Sequence, residues 1–206
     1  SATVYAASDI ALKENAPLGP VNVYGRTKLA VETLLSDVAG SDPSWRIAVL
    51  RYFNPAGGHA SGLLREAPSG VPENLVPMIA QLAAGERSVL SVFGTDYPTE
   101  DGTALRDYIH VSDLADGHIA ALHALDERQG VLTLNLGTGT ATSVRQLVRA
   151  FETELGRKLP VTNAPRRDGD APISFADTEK ARRELSWQPK RGIKDICRDA
   201  LLGRLD

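Results

Sequence analysis

Tyr24 and Lys28 stand four residues apart, a spacing that on a helix puts a phenol and an ammonium on one face about a turn apart. A tyrosine, with an ordinary pKa of about 10, is a poor base at neutral pH. A nearby ammonium favours its phenolate, and a cationic nicotinamide ring would favour it further. Such a phenolate can take a proton from a hydroxyl while hydride leaves the same carbon, and Lys28 can also hydrogen-bond a nicotinamide ribose. A serine or threonine just upstream would orient the reacting hydroxyl, and Ser1 and Thr3 stand there. By itself Tyr-x-x-x-Lys is a frequent chance match, and a surface tyrosine packed over a lysine stem would read the same way. The order of the flanking segments adds weight: Ser-Ala-Thr before the motif and an apolar run ending in Tyr52-Phe53-Asn54-Pro55 after it suit the last half of a dinucleotide-binding unit.

The elements that must position these groups alternate between helix and strand. Leu29, Val31, Leu34, Leu35 and Val38 form a helical stripe within Tyr24 to Ala39, with Glu32 and Asp37 off it. The opening Ser-Ala-Thr-Val-Tyr reads as the end of a buried strand, and 47–53 as a short strand covered on both faces. A Gly- and Pro-rich loop, 54–73, has the length of a functional or disordered one. Further on, 74–84 reads as a helix, which Asn74 could cap, 88–93 as a strand, 94–106 as a second polar loop and 107–111 as another strand. Ser112 or Asp113 could cap the helix that runs to about 127. A buried strand, 132–136, ends in Gly137-Thr138-Gly139-Thr140, and Ser143 opens a helix from Val144 to Leu155. A short strand near Val161 and helices around Lys180 and Asp195 complete an α/β pattern, which implies a mostly parallel sheet with helices on its faces.

The bulk figures narrow the class of partner. With 23 basic and 26 acidic residues among 206, the formal charge is −3, so no nucleic-acid or membrane surface is advertised. No apolar run nears the roughly 18 residues of a membrane span. Cys197 is the single cysteine, which excludes an internal disulfide and fits a reducing, cytoplasmic setting. His59, His110, His118, His123 and Cys197 lack zinc-type spacing, so no metal site is expected. Cys197 reads as a small buried hydrophobe, and Trp45 and Trp187 read as packing residues.

Over essentially its whole length the sequence resembles the UDP-glucose (UDP-galactose) 4-epimerases of the extended short-chain dehydrogenase/reductase family. The likeness rests on 1–5, Tyr24-Gly-Arg-Thr-Lys28, Leu50-Arg-Tyr-Phe-Asn-Pro55, Asn74-Leu75-Val-Pro77, the uninterrupted block 93–103, Arg106-Asp-Tyr-Ile-His-Val111 and 164–170. The resemblance implies the C-terminal part of a doubly wound, Rossmann-type parallel sheet plus a smaller α/β substrate-binding domain. It assigns 1–55 and 107–137 to an NAD-binding domain, and 56–106 and 138–206 to a UDP-sugar-binding domain. It also implies C4 oxidation of a UDP-hexose by bound NAD, rotation of the 4-keto sugar and hydride return, in an enzyme that is commonly a homodimer.

Carried over residue by residue, the likeness makes Tyr24 the catalytic base, Lys28 its electrostatic and ribose partner, and Ser1 the hydroxyl assisting at the sugar 4-position with Thr3 beside it. Tyr52 and Phe53 would line the nicotinamide pocket. Asn54, Asn74 and Leu75 would meet the diphosphate or sugar, and Phe93 and Tyr108 would shape the uridine side. Arg106 and Arg167 would take the pyrophosphate, for which guanidinium forks are suited, and Asp170 would accept from ribose hydroxyls. Arg166 and Arg167 are adjacent, and alignment of the motif selects Arg167. Ser174 falls where the family places a residue gating the sugar pocket, and its small side chain would leave room for an N-acetyl group.

The family's Gly-rich turn is not among the 206 residues. Gly137-Thr-Gly139 lacks the third glycine and reads as a turn. The expectation is therefore an N-terminally truncated fragment that exposes apolar face and is inactive and aggregation-prone alone. Three rivals stand beside the epimerase reading: a sugar-nucleotide 4,6-dehydratase, a decarboxylating or 5-epimerising relative, and a non-catalytic UDP-sugar-binding module. The first would resemble Thr-Asp-Glu where this chain has Ser-Ala-Thr, and the block at 98–103 speaks against the second.

Overall fold

The computed structural model describes residues 1–67, 70 and 72–204. A 3-10 turn (Ala2–Val4) precedes α1 (Val23–Ser41), β1 (Arg46–Tyr52), β2 (Asn54–Ala56) and α2 (Leu75–Ala83). β3 (Leu90–Phe93), β4 (Leu105–Arg106), β5 (Tyr108–His110), α3 (Val111–Leu125) and β6 (Gly130–Leu136) follow. β7 (Thr142–Ser143), α4 (Val144–Leu155), β8 (Val161–Ala164), β9 (Ile173–Ser174), α5 (Glu179–Leu185) and α6 (Ile193–Leu201) complete the chain.

Parallel pairing dominates this α/β, Rossmann-type arrangement. β1 runs beside β6 in register from Arg46↔Gly130 to Tyr52↔Leu136. β2 pairs with β5 and β3 with β8, both parallel. The two-residue β4 is parallel to β9 and antiparallel to β7. The apolar residues gather into three clusters. The largest joins α2, α4 and α6 around Ile79, Leu147, Phe151 and Ile196. A second holds Val4, Tyr5, Leu12, Phe53 and Ala176, and a third packs Ile109 and Leu136 against Ala181 and Trp187.

Several sequence expectations are corrected. The first residues form a 3-10 turn rather than a strand end, because the Ser1 side chain accepts from the Thr3 N–H and caps a turn there. α3 starts at Val111 and is capped by His110, whose Nδ1 accepts from the Ser112 N–H at 3.1 Å, not by Ser112 or Asp113. Asn74 holds the N-cap position of α2 but makes no side-chain cap; its amide instead donates to Glu66 at 3.0 Å. Trp45 is 49% exposed rather than packed, whereas Trp187 and Cys197 are buried. α1 fully buries only Gly25 and leaves Val31 and Leu34 of its stripe exposed. By contrast α4 begins where Ser143 suggests, with a reciprocal capping box to Gln146. Residues 68, 69 and 71 of the loop 54–73 lie outside the described residues. Among the described residues no helix is long and apolar enough to cross a membrane, and no group of three or more His, Cys, Asp or Glu could hold a metal ion.

Candidate active site

One cavity of about 520 Å³ gathers residues from both ends of the chain. Ser1, Thr3, Tyr24, Tyr52, Phe53 and Asn54 line it together with Asn74, Leu75, Phe93, Arg106, Tyr108, Arg167 and Asp170. Pro55, Ala56, Glu73, Val76, Met78, Ser91, Ala104 and Val144 complete the wall; none of these was singled out by type. Lys28 and Ser174 are not part of the lining.

Tyr24 lies in the first turn of α1. Asn22 begins that helix by accepting the Gly25 N–H at 2.8 Å, the ordinary N-cap arrangement. The helix can sit where it does because residue 25 is glycine: a Cβ there would lie 2.4 Å from the Thr3 carbonyl oxygen and 2.7 Å from Pro20 Cβ. That close approach puts Tyr24, 56% exposed, on the same wall as Ser1, whose Oγ is 2.9 Å from Thr3 Oγ1. The Lys28 ammonium stands over the Tyr24 ring, 5.1 Å from its centroid, within cation–π range.

A buried arginine fixes α1 to the sheet. Arg51 on β1 donates to both Glu32 carboxylate oxygens at 2.7–3.2 Å and to the Tyr5 hydroxyl at 2.9 Å. Tyr5 in turn donates to Asn135 of β6 at 2.6 Å. Burial works against the Arg51 charge, but the bonds to Glu32 and Tyr5 outweigh it and raise its pKa.

Tyr52 ends β1 inside the cavity, and its hydroxyl is 2.8 Å from His118 Nε2 on α3. Burial raises the Tyr52 pKa, and the nearby Tyr24 charge raises it further.

The opposite end of the cavity is cationic. Arg167 donates to Asp170 at 2.9 Å, and Arg106 approaches the other oxygen of that carboxylate at 3.9 Å. Two guanidiniums share the Asp170 carboxylate, so this cluster carries one net positive charge, suited to an anionic ligand, while Glu73 also lines the cavity. The Arg167 guanidinium also stands 5.1 Å from the centroid of Phe93. Its neighbour Arg166 turns the other way, pairing with Asp96 at 2.7 Å and stacking on Tyr97. Burial pushes the Tyr108 phenol up to about 12 despite the two arginines beside it, so it remains a neutral donor. Ser174 sits on β9 in register with Arg106.

Asp101, Gly102 and Asp107 support this end without lining it. Asp101 accepts from the Thr103 N–H and hydroxyl at 2.9 and 2.6 Å, and from the Ser143 hydroxyl at the start of α4. Gly102, with φ +77°, has room for no side chain: a Cβ would fall 2.2 Å from the Thr95 carbonyl oxygen. Asp107 accepts from Thr138, Gly139 and Ala176 amides at 2.8–3.1 Å and from the Thr138 hydroxyl at 2.6 Å. The Thr138 and Gly139 amides are thus spent on a buried carboxylate, whose pKa burial raises against those bonds. Gly25, Arg51, Asp107 and His118 carry structural work that motif reading did not assign. An acid between Arg106 and an apolar strand was the one available signal, at Asp107.

This geometry has close counterparts. The chain is 54% identical over 201 residues to UDP-glucose 4-epimerase 2 of Arabidopsis thaliana, covering 97% of this chain and 57% of that protein. It is 50% identical over 201 residues to UDP-glucose 4-epimerase of Bacillus subtilis, covering 97% of this chain and 59% of that one. The chain therefore spans a little under three fifths of the length of these curated relatives. Among solved structures, UDP-glucose-4-epimerase from Stenotrophomonas maltophila, with bound NAD and formylated UDP-arabinopyranose, superposes with a TM-score of 0.95 at 50% identity, covering 99% of this chain and 61% of that one. The enzyme from Bifidobacterium longum, in complex with NAD+ and UDP, gives 0.94 at 46% identity, covering 98% and 60%. The NAD dependent epimerase/dehydratase family model matches residues 1–137, well over half of the sequence, and the chain belongs to that family.

Proposed function

We propose that this chain carries the acid–base and UDP-hexose-binding residues of a UDP-glucose 4-epimerase, interconverting UDP-glucose and UDP-galactose with NAD. The observation that carries the reading is the two-ended cavity, with Tyr24 and Ser1 at one end and Arg106, Arg167 and Asp170 at the other. The donor set fits NAD at the first end: a phenol beside an ammonium, Tyr24 with Lys28, next to the aromatic wall of Tyr52 and Phe53. When bound, the nicotinamide supplies the hydride acceptor and donor.

The chain's own residues do the rest. Arg106 and Arg167 grip the diphosphate, Tyr108 and Phe93 flank the uridine, and Asp170 accepts from ribose hydroxyls. Asn54, Asn74 and Leu75 border the sugar. Tyr24 takes the C4 hydroxyl proton as that carbon is oxidised, and Ser1, with Thr3 behind it, hydrogen-bonds the same oxygen. The sugar makes few fixed bonds, so the ketone can turn while the UDP stays anchored. Tyr24 then returns the proton, and the C4 configuration is inverted.

Residues 1–55 with 107–137 form the cofactor side of this reading, and 56–106 with 138–206 the sugar-nucleotide side. A homodimer in the cytoplasm completes it, in keeping with the exposed Val31 and Leu34 on α1 and a lone buried thiol. A second reading, UDP-sugar binding without turnover, draws on the lack of a three-glycine dinucleotide loop among the 206 residues. Turnover is expected where such a loop accompanies these residues.

The test is conversion of UDP-galactose to UDP-glucose, followed by proton NMR, by the NAD-loaded enzyme in which such a loop accompanies these residues. Tyr24→Phe should lower kcat by about 10²- to 10⁴-fold, the usual contribution of a general acid–base group, with little change in UDP affinity. Turnover at the parent rate would sink the assignment.

A further inference from the structure

Three phenols line the cavity; Tyr108 stands by Arg106 and Arg167, which leaves Tyr24 and Tyr52 where the proposed reaction needs one proton acceptor. The hydrogen bonds around His118 separate their roles. His118 Nδ1 lies 2.8 Å from the Leu114 carbonyl oxygen. A carbonyl can only accept, so Nδ1 carries the ring proton. In the neutral ring Nε2 is then an acceptor, and the Tyr52 hydroxyl 2.8 Å away must donate to it. The two rings stand 5.2 Å apart, tilted by 52°, so the pair is held by packing as well as by the bond.

We propose that His118 is a positioning residue that commits the Tyr52 proton to α3, leaving Tyr24, of these two phenols, free to exchange a proton with a bound sugar. The physical need is clear. A hydroxyl donor beside a phenolate stabilises the charged form and weakens it as a base. Tyr52 is near enough for the Tyr24 charge to be felt at its own hydroxyl. With its proton given to His118, Tyr52 offers Tyr24 no such donor. The bond also fixes the rotation of the Tyr52 ring at the end of β1, where Phe53 and Asn54 continue the wall.

The inference rests on reading Tyr24 as the acid–base group, but its first test does not. Nitrogen-15 NMR of the full chain at mildly alkaline pH should find neutral His118 with its proton on Nδ1, the less common tautomer; a proton on Nε2 overturns the proposal. The second test follows Tyr24 ionisation with tyrosine labelled at Cζ, with no cofactor bound. In His118→Phe the freed Tyr52 hydroxyl should raise the Tyr24 ionisation constant by about threefold or more, roughly half a pKa unit. The parent value should return in His118→Phe/Tyr52→Phe and in His118→Gln, where an amide oxygen again accepts. A shift of equal size in the single and double variants, or none in either, overturns it. Loss of the epimerase reading, by contrast, would come from Tyr24→Phe turning over normally, which leaves the His118 tautomer untouched.

Discussion

Ser174 brings a small side chain to β9, in register with Arg106, where a tyrosine would carry a ring toward the cavity. Resemblance to the epimerases associates that difference with the size of hexose accepted. We therefore expect the NAD-loaded enzyme, with a dinucleotide loop accompanying these residues, to turn over UDP-N-acetylglucosamine as well as UDP-glucose, and Ser174→Tyr to lose the N-acetylated substrate while keeping the plain one. If the parent never turns over UDP-N-acetylglucosamine in the same NMR assay, the expectation fails. At this scale the sequence was most informative where chemistry dictates residue type. Tyr24 and Lys28 could be named from their spacing and chemistry, whereas Arg106, Arg167 and Asp170 came from the resemblance to the epimerases. Gly25 and His118 were not legible. Gly25 matters through a carbonyl at Thr3, and His118 through a phenol 66 residues earlier, so neither role is written in local spacing.

Only Gly25 of α1 is fully buried, although the helix packs on the 3-10 turn, β1 and β6. A polar tie to the sheet is the Arg51–Glu32 ion pair, almost wholly out of solvent. Removing one partner of a buried pair leaves an uncompensated charge and costs about 3–5 kcal/mol. Arg51→Ala should lower stability by that order in urea unfolding, and it should weaken catalysis more than UDP binding because Tyr24 rides on the loosened helix. A loss below about 1 kcal/mol would mean that packing alone holds α1. Elements with strong periodicity or a complete cap, such as β1 and α4, were readable within a residue or two. The two-residue strands β4, β7 and β9 were not, being too short for any period to register. The 3-10 turn at the front arose because Ser1 satisfies a local backbone donor, a choice that β-prone neighbours conceal.

Across the molecule a buried polar link joins β5 to α6. His110 Nδ1 accepts a backbone N–H, so Nε2 donates to Asp199 at 3.1 Å, with both side chains essentially inaccessible. Burial works to raise the Asp199 pKa, but bonds from Arg198 and His110 outweigh it and hold it below the ordinary aspartate value. A depressed folded-state pKa contributes stability that is fully present above the unfolded-state value and lost as the pH falls through the folded one. Asp199→Ala should therefore cost about 3 kcal/mol near neutrality, and the gap to the parent should narrow as acid protonates Asp199. Urea unfolding at neutral and acidic pH checks this; a gap that widens in acid contradicts it. The α/β class and the order of elements were legible from alternation alone. The meeting of residues 1–24 with 167–170 in one cavity was not, because it is a property of the closed fold. That meeting is the central claim, and isothermal titration of the chain with UDP tests it most directly. Saturable binding that Arg167→Ala weakens by at least about tenfold, roughly 1.4 kcal/mol, and that Tyr24→Phe leaves intact is the result expected. The absence of saturable UDP binding, or binding indifferent to both Arg167→Ala and Arg106→Ala, would contradict the account.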